Sequence, residues 1–248
     1  MKLDELRGKK ILIVGCGLEG KATHAYLQKY VPDAAIGIAD QSDGPEYLEK
    51  QKGYDIAIKS PGVRPQLITI PYTTATNIFF GEVKGKTIGV TGTKGKSTTA
   101  SLLAHMLKAN GITVKLVGNI GVPMLSAIMD ENRYDTVYVI ELSSYQLADI
   151  DSAPDISLII NLYPEHMDYH GDVKSYWQAK LRMVEGATAK SVFFYNAAFQ
   201  ELVHGAKKSK AQAIPFISTL PFSEDIIPLL GIHNRDNVRA AATVARYM

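Results

Sequence analysis

The chain has 248 residues, 46% hydrophobic and 21% charged, and its 27 basic and 25 acidic side chains leave a formal net charge of +2. At about 150 residues per domain this predicts one to two domains with a sizeable core, and it excludes a disordered chain, a coiled coil and a collagen-like repeat. The near-neutral balance argues against a nucleic-acid binder working by bulk electrostatics, while the single cysteine, Cys16, excludes a disulfide scaffold and fits a reducing compartment.

In chain order, Asp4, Glu5, Arg7, Lys9 and Lys10 precede only a short apolar run, which is not a signal peptide. No stretch reaches the roughly 18 apolar residues of a membrane span. The expectation is a soluble cytoplasmic protein. A strand at 10–14 leads into the turn Gly15-Cys16-Gly17-Leu18-Glu19-Gly20 and a helix at 22–30. A strand at 35–39 ends at Asp40. A helix around 44–51, a strand at 54–58 and the loop Ser60-Pro61-Gly62 follow. Pro65, Pro71 and the threonine-rich run at 73–76 point to irregular structure with short strands. A boundary at 81–85 divides the chain into domains 1–84 and 85–248.

The second half opens like the first. A strand at 86–90 runs into Thr91-Gly92-Thr93-Lys94-Gly95-Lys96-Ser97-Thr98, and a helix at 99–110 follows. Strand, glycine turn, helix is the opening of a βαβ unit. Near-continuous apolar runs at 113–117, 136–142, 156–161 and 191–196 suit a parallel sheet covered on both faces. Helices are expected at 123–129, 176–185 and 234–247. The pattern assigns no element within 200–230, where Lys207, Lys208 and Lys210 read as a solvated face. The fold class is α/β: a Rossmann-like N-terminal domain, then a parallel-sheet domain of the phosphate-loop type.

The densest motif is Gly92 to Thr98. Glycines let backbone N–H groups curl around phosphate oxygens, and a helix N-terminus adds a positive dipole end. Lys96 suits the β- and γ-phosphates and Ser97 suits Mg²⁺; the bland alternative is a turn capped by Ser97 or Thr98. The spacing Gly92-x-x-Gly95 is shorter than the common phosphate loop and points to a subset of such enzymes. Gly15-x-Gly17-x-x-Gly20 with Asp40 fits a dinucleotide fingerprint. Alone it is a weak signal, which also fits another nucleotide diphosphate or merely a helix packed on a strand.

Glu141 in Val139-Ile140-Glu141-Leu142-Ser143-Ser144-Tyr145-Gln146 ends a buried strand. A carboxylate there can hold Mg²⁺ or pair with a lysine. The segment Asn161-Leu162-Tyr163-Pro164-Glu165-His166-Met167-Asp168-Tyr169-His170-Gly171 crowds two histidines and two acids into six residues. His166 is a candidate metal ligand, although one histidine alone is more often structural. Lys180, read alone, is a surface helix lysine. Gly231-Ile232-His233-Asn234-Arg235-Asp236-Asn237 opens an alanine-rich helix. Asn234 or Asp236 fits an N-cap, or Asn234 and Asn237, one turn apart, present amides to a base.

Together these motifs resemble the Mur ligase family of peptidoglycan synthesis. Thr91 to Thr98 is similar to its short ATP loop, 161–171 to its metal-binding histidine segment, and Gly231 to Asn237 to its adenine-side motif. Gly15 to Gly20, Ser60-Pro61-Gly62-Val63 and Glu141 to Leu147 resemble the branch that adds D-glutamate to UDP-N-acetylmuramoyl-L-alanine. The resemblance spans 10 to about 245. It implies that the first domain binds the substrate's UDP rather than NAD. Gly15, Gly17, Leu18 and Gly20, with Ser60, Pro61 and Gly62, are then expected at the diphosphate. Asp40 and Gln41 are expected at the uracil. Asn119, Ser143 and Gln146 are further substrate contacts.

The resemblance also implies that Gly92, Thr93, Lys94, Gly95, Lys96, Ser97 and Thr98 hold ATP, with Asn234 and Asn237 on its adenine side. Ser97, Glu141, His166 and Lys180, the last as a carbamate, would serve Mg²⁺, and Lys96, Glu141, His166 and Lys180 the catalysis. An ammonium repels Mg²⁺, whereas a carbamate reverses the charge and supplies oxygens. The implied reaction is ATP-dependent amide formation through an acyl phosphate. The implied molecule is a monomer that takes no nucleic acid or membrane as partner.

Three departures stand out. Lys94 replaces the family's usual asparagine, and Glu165 replaces the common aspartate. A third domain, which binds the incoming amino acid, is expected to be missing after Met248, and 196–231 looks short. A ligase lacking its third domain is the leading reading. A nucleotide- or UDP-sugar-binding module without ligase activity is the alternative, and an NAD-linked oxidoreductase is a third.

Overall fold

The computed structural model describes residues 1–129, 131–216, 219–220, 223 and 231–248. They form two compact units. The first takes Met1–Lys84, Val122–Asn132 and Asp149–Asp151, and the second takes the remainder.

The first unit runs β1 (Lys10–Val14), α1 (Leu18–Tyr30), β2 (Ala35–Ala39), β3 (Ile56–Lys59), β4 (Tyr72–Thr73) and α2 (Ala75–Glu82). Its strands form a parallel sheet in the order β2-β1-β3-β4. The order reverses beside β1. That opens a crevice at the carboxyl ends of β1 and β3, the usual ligand position in such sheets. Register puts Val14 opposite both Ala39 and Lys59, so Gly15, Asp40 and Ser60 emerge side by side.

The second unit begins with β5 (Lys86–Thr91), α3 (Lys96–Ala109) and β6 (Val114–Gly118). The chain then gives α4 (Met124–Met129) to the first unit, where it packs on α1 and α2. It returns with β7 (Val137–Glu141), α5 (Ser144–Leu147), β8 (Ile156–Ile159), α6 (Met167–His170), α7 (Val173–Glu185), β9 (Val192–Tyr195), α8 (Gln200–Lys208), β10 (Gln212–Pro215) and α9 (Ile232–Tyr247). The sheet is parallel in the order β10-β9-β8-β5-β7-β6. β5, β7 and β8 are almost wholly buried, because α3 and α9 seal one face with Leu103, Leu107, Ala240 and Val244 against Ile88, Val90, Val139 and Leu158. Here too the order reverses next to β5, and the motif residues of this unit outside α7 and α9 lie at or after the carboxyl ends of β5, β7 and β8, with Asn119 after the edge strand β6.

Several expectations need correction. Helices α1 and α3 begin at Leu18 and Lys96, not at 22 and 99, so each starts directly at its glycine turn. A short strand does occur, β4 at Tyr72–Thr73, but the threonine run continues into a helix rather than irregular structure. Thr74 caps α2 by accepting from Asn77 N, the standard use of threonine at a helix start. The helix expected at 44–51 is a short 3₁₀ stretch, Tyr47–Gly53. The 200–230 stretch contains α8 and β10, with Lys207, Lys208 and Lys210 exposed as expected. Residues 217–218, 221–222 and 224–230, where part of the expected shortening falls, lie outside the described residues.

Candidate functional site

The phosphate loop of the second unit is fixed from beneath by Asn161. Its Oδ1 accepts from Thr93 N at 2.9 Å and Lys94 N at 3.0 Å, and its Nδ2 donates to Lys94 O at 3.0 Å. The Thr93 hydroxyl donates to Tyr163 O and accepts from Tyr163 N and Tyr176 Oη. Two loop N–H groups are thus spent inside the protein. Those remaining for an anion belong to the first turn of α3, which has no intrahelical partner for them. Exposed Ser97 stands at that turn.

Gly95 is required twice over. Its φ of +80° is a left-handed conformation, and a Cβ would lie 2.1 Å from Asn237 Oδ1. The buried Asn237 therefore presses its amide against the loop, while its Nδ2 donates to Asn234 Oδ1 at 3.0 Å. The N-cap reading of Asn234 and Asp236 is corrected: α9 starts at Ile232 after Gly231, so both lie in its first turns. With Lys94, Thr98, Tyr163, Asn196 and His233 these amides line a cavity of about 530 Å³.

The charged groups gather at the same sheet end. Lys96 Nζ donates to Thr93 O at 2.9 Å. Burial pulls its pKa below the ordinary lysine value, opposed by the fields of Glu141 and Glu165. Glu141 is buried. Oε1 accepts from Asn119 Nδ2 at 3.0 Å, and Oε2 has no hydrogen-bond partner among the described residues. A buried carboxylate oxygen without a donor is unusual, and a hard cation would satisfy it.

Lys180 is not a surface lysine. It is 1% exposed, within a buried stripe of α7 formed by Tyr176, Ala179, Met183 and Val184. Its Nζ donates to Gly92 O at 2.9 Å and lies 4.7 Å from the Tyr176 ring centroid. Burial, with Lys96 close by, pushes its pKa down to about 7. Much of it is then neutral amine near neutrality, the form that carbon dioxide can carbamylate.

His166 has a φ of +56°, an unusual value for a residue with a side chain, and caps α6. Its Nδ1 shares a 3.0 Å hydrogen bond with Tyr145 Oη. His170 Nε2 meets Ser144 Oγ at 3.0 Å, and burial lowers its pKa. Lys94 and Glu165, the two departures, form an ion pair with each other, and this pairing holds the Glu165 pKa below the usual carboxylate range. Ser143 and Gln146 form the capping box of α5, so these expected substrate contacts first serve the loop after Glu141. Among the described residues no three His, Cys, Asp or Glu side chains converge on one metal position. A magnesium ion fits this arrangement only with few protein oxygens, as its reliance on water and substrate phosphates allows.

The first unit's pocket, about 350 Å³, is lined by Gly15, Gly17, Leu18, Gly20, Gln41, Ser60 and their neighbours. Asp40 is largely engaged already: Oδ2 accepts from Cys16 N at 2.6 Å and Oδ1 from Ser42 N and Oγ. These bonds lower its pKa and pin the glycine turn. Asp40 also lines the pocket. Gly20 does pack a helix on a strand, since a Cβ there would meet Gly15 O at 2.2 Å. A separate cavity of about 390 Å³ between α7 and α8 is lined by none of the candidate site residues. Asn161 and Tyr163 lie within the histidine segment, yet nothing in the sequence reveals that an amide after one strand grips a loop after its neighbour.

Two parallel sheets, with a lysine-bearing glycine loop at the switch point of the second, define an α/β protein with a phosphate-loop nucleotide-binding domain. The chain belongs to the Mur ligase family: the family's Mur ligase middle domain matches residues 90–226. A UDP-N-acetylmuramoylalanine–D-glutamate ligase from Leuconostoc mesenteroides is 32% identical over 290 aligned positions, covering 99% of this chain and 64% of the relative. A UDP-N-acetylmuramoyl-L-alanine–L-glutamate ligase from Salinispora tropica is 29% identical, covering 98% and 63%. The chain therefore spans about 64% of the length of such curated relatives. The 290 aligned positions exceed its 248 residues, so the relatives carry extra residues inside the matched stretch.

The fold is shared with solved ligases. One is the UDP-N-acetylmuramate:L-alanyl-gamma-D-glutamyl-meso-diaminopimelate ligase from Neisseria meningitides (TM-score 0.64, 18% identity, 96% of this chain and 93% of that one). Another is the Thermotoga maritima MurF ligase in complex with ADP (TM-score 0.56, 15% identity, 99% and 61%). No helix among the described residues is long and apolar enough to cross a membrane.

Proposed function

We propose that this chain carries the UDP-substrate and ATP sites of an ATP-dependent, ADP-forming ligase that joins D-glutamate to UDP-N-acetylmuramoyl-L-alanine in the cytoplasm, as a monomer. The observation that carries the reading is the unpartnered Glu141 oxygen beside a phosphate loop and a buried lysine of lowered pKa. The likeness to glutamate ligases over nearly the whole chain supports the choice of substrate.

In this reading residues 1–84 hold the UDP portion and 85–248 hold ATP. Lys96 leaves the Thr93 carbonyl for the β- and γ-phosphates, and the first turn of α3 meets the phosphate oxygens through backbone N–H groups. Asn234 and Asn237 face the adenine side. Ser97, Glu141, His166 and carbamylated Lys180 would hold Mg²⁺, which when bound supplies charge neutralisation for phosphoryl transfer. The alanyl carboxylate attacks the γ-phosphorus, the bond to the β-phosphate oxygen breaks, and ADP leaves. The glutamate amine then attacks the acyl carbon, phosphate departs, and the amine loses a proton. No step needs a protein nucleophile.

The test is titration with UDP-N-acetylmuramoyl-L-alanine and with a non-hydrolysable ATP analogue plus Mg²⁺, then glutamate-dependent phosphate release. Binding of both ligands, with only weak phosphate release from this chain alone and that release driven by D-glutamate, is the expected result; full turnover would overturn the reading that the chain lacks a domain the ligase needs. Release driven by L-glutamate instead would move the chain to the other named branch. Binding without release favours the binding-module reading, and failure to bind either ligand sinks the proposal.

A further inference from the structure

We infer that Lys59 is a positioning residue for the first unit's pocket, setting the Ser60–Val63 turn from behind through an ion pair with Asp149. The inference rests on reading that pocket as a nucleoside-diphosphate site. Lys59 ends β3 and is fully buried. A lysine accepts such burial only when its ammonium is paired and hydrogen-bonded.

The partners are specific. Nζ lies 2.8 Å from Asp149 Oδ2, donates to Val63 O at 2.9 Å, and reaches Ser60 O at 3.4 Å. The two carbonyls belong to the first and last residues of the turn whose members Ser60, Pro61, Gly62 and Val63 line the pocket. Tyr72 Oη donates to Asp149 Oδ1 at 3.0 Å and fixes the carboxylate. On the pocket side Ser60 Oγ donates to Gly15 O at 2.7 Å, tying the same turn to the glycine loop. A chain of contacts therefore runs from Tyr72 through Asp149 and Lys59 to both walls of the pocket.

Chemistry explains why a lysine stands there. An ammonium has three donors and no acceptor, so one group serves two carbonyls and a carboxylate at once. An apolar side chain of equal length would take a donor from each carbonyl, leaving the turn held by its own Val63 N–H to Ser60 O bond at 3.0 Å and by Ser60 Oγ. Because the ion pair is internally neutral, Lys59 shapes the wall without itself contacting the anion.

The experiment is calorimetric titration of the chain with UDP, alongside thermal melting, for the unaltered protein, Lys59→Met and Lys59→Met/Asp149→Asn. The single variant strands a buried carboxylate and should lose both melting temperature and UDP affinity. The double variant removes that stranded charge and should recover most of the melting temperature. Its UDP affinity should stay at least about tenfold below the original, while affinity for an ATP analogue in the second unit is unchanged. Recovery of UDP affinity together with melting temperature would overturn the inference, because Lys59 would then only stabilise the fold. If Lys59→Met does not fold, the double variant alone decides. An unaltered chain that fails to bind UDP overturns the nucleotide reading of the pocket and this inference with it, a result distinct from binding that ignores the substitutions.

Discussion

The turns Gly15–Gly20 and Gly92–Ser97 both carry a first parallel strand into a helix, yet the chain occupies them differently. In the first, Asp40 takes the Cys16 N–H, Ser60 takes the Gly15 carbonyl, and Gly20 lets α1 press on that carbonyl. In the second, Asn161 holds the near side of the loop, while Lys96 rests on a replaceable carbonyl and Glu141 keeps an oxygen without a donor. A glycine fingerprint thus reports a shape. The charged groups gathered around it, Lys96, Lys180 and Glu141 beside the second turn, decide whether it suits a highly charged ligand.

The comparison breaks most severely at Gly95. Gly95→Ala combines left-handed strain with a clash on Asn237. It should cost about 3 kcal/mol, roughly 100-fold in affinity for an ATP analogue, with UDP affinity untouched. Equal losses for both ligands in parallel titrations would show that the two turns do not act separately.

Asn161→Ala removes three hydrogen bonds from the phosphate loop. At about 1 kcal/mol each, the expected loss is 2–3 kcal/mol of stability, read by urea unfolding, with a smaller fall in nucleotide affinity. Asn161→Asp keeps the acceptor and should recover part of the stability but not the affinity.

Lys180 sharpens the contrast through pH. Its pKa is pushed down to about 7 in the folded chain, whereas an unfolded lysine titrates near about 10.4. Between these values the unfolded chain binds the extra proton, so this group makes stability rise as pH climbs from about 7 toward about 10. In carbonate-free buffer, the melting-temperature difference between the unaltered chain and Lys180→Met should shift in favour of the unaltered chain over that range. A flat difference would show that the lysine is not held as described. The smallest effect belongs to Lys94→Ala. Its pair with Glu165 is largely exposed on the lysine side, so less than about 1 kcal/mol is expected, and added salt should erase it.

Much of this arrangement was readable beforehand, for identifiable reasons. Parallel strands buried on both faces are continuous apolar runs, so β5, β7, β8 and β9 stood out. Phosphate-loop chemistry is local, so Gly92 to Thr98 did too. What escaped depends on distance. The Lys94–Glu165 pair joins residues on neighbouring strand-end loops, and each looked like an isolated departure. Lys180 was legible only as a family match, although Tyr176, Ala179, Met183 and Val184 surround it at helical spacing and mark its face as inward. Helix α2 is hard to read because its threonine run suggests irregular structure, whereas Thr74 serves as its cap.

The loan of α4 to the first unit has a consequence for synthesis. A ribosome that has released residues up to Lys84 has delivered a sheet whose helices α1 and α2 still lack their packing partner, and whose buried Lys59 still lacks Asp149. These partners are translated only after the phosphate loop, so α1, α2 and Lys59 gain them late in synthesis.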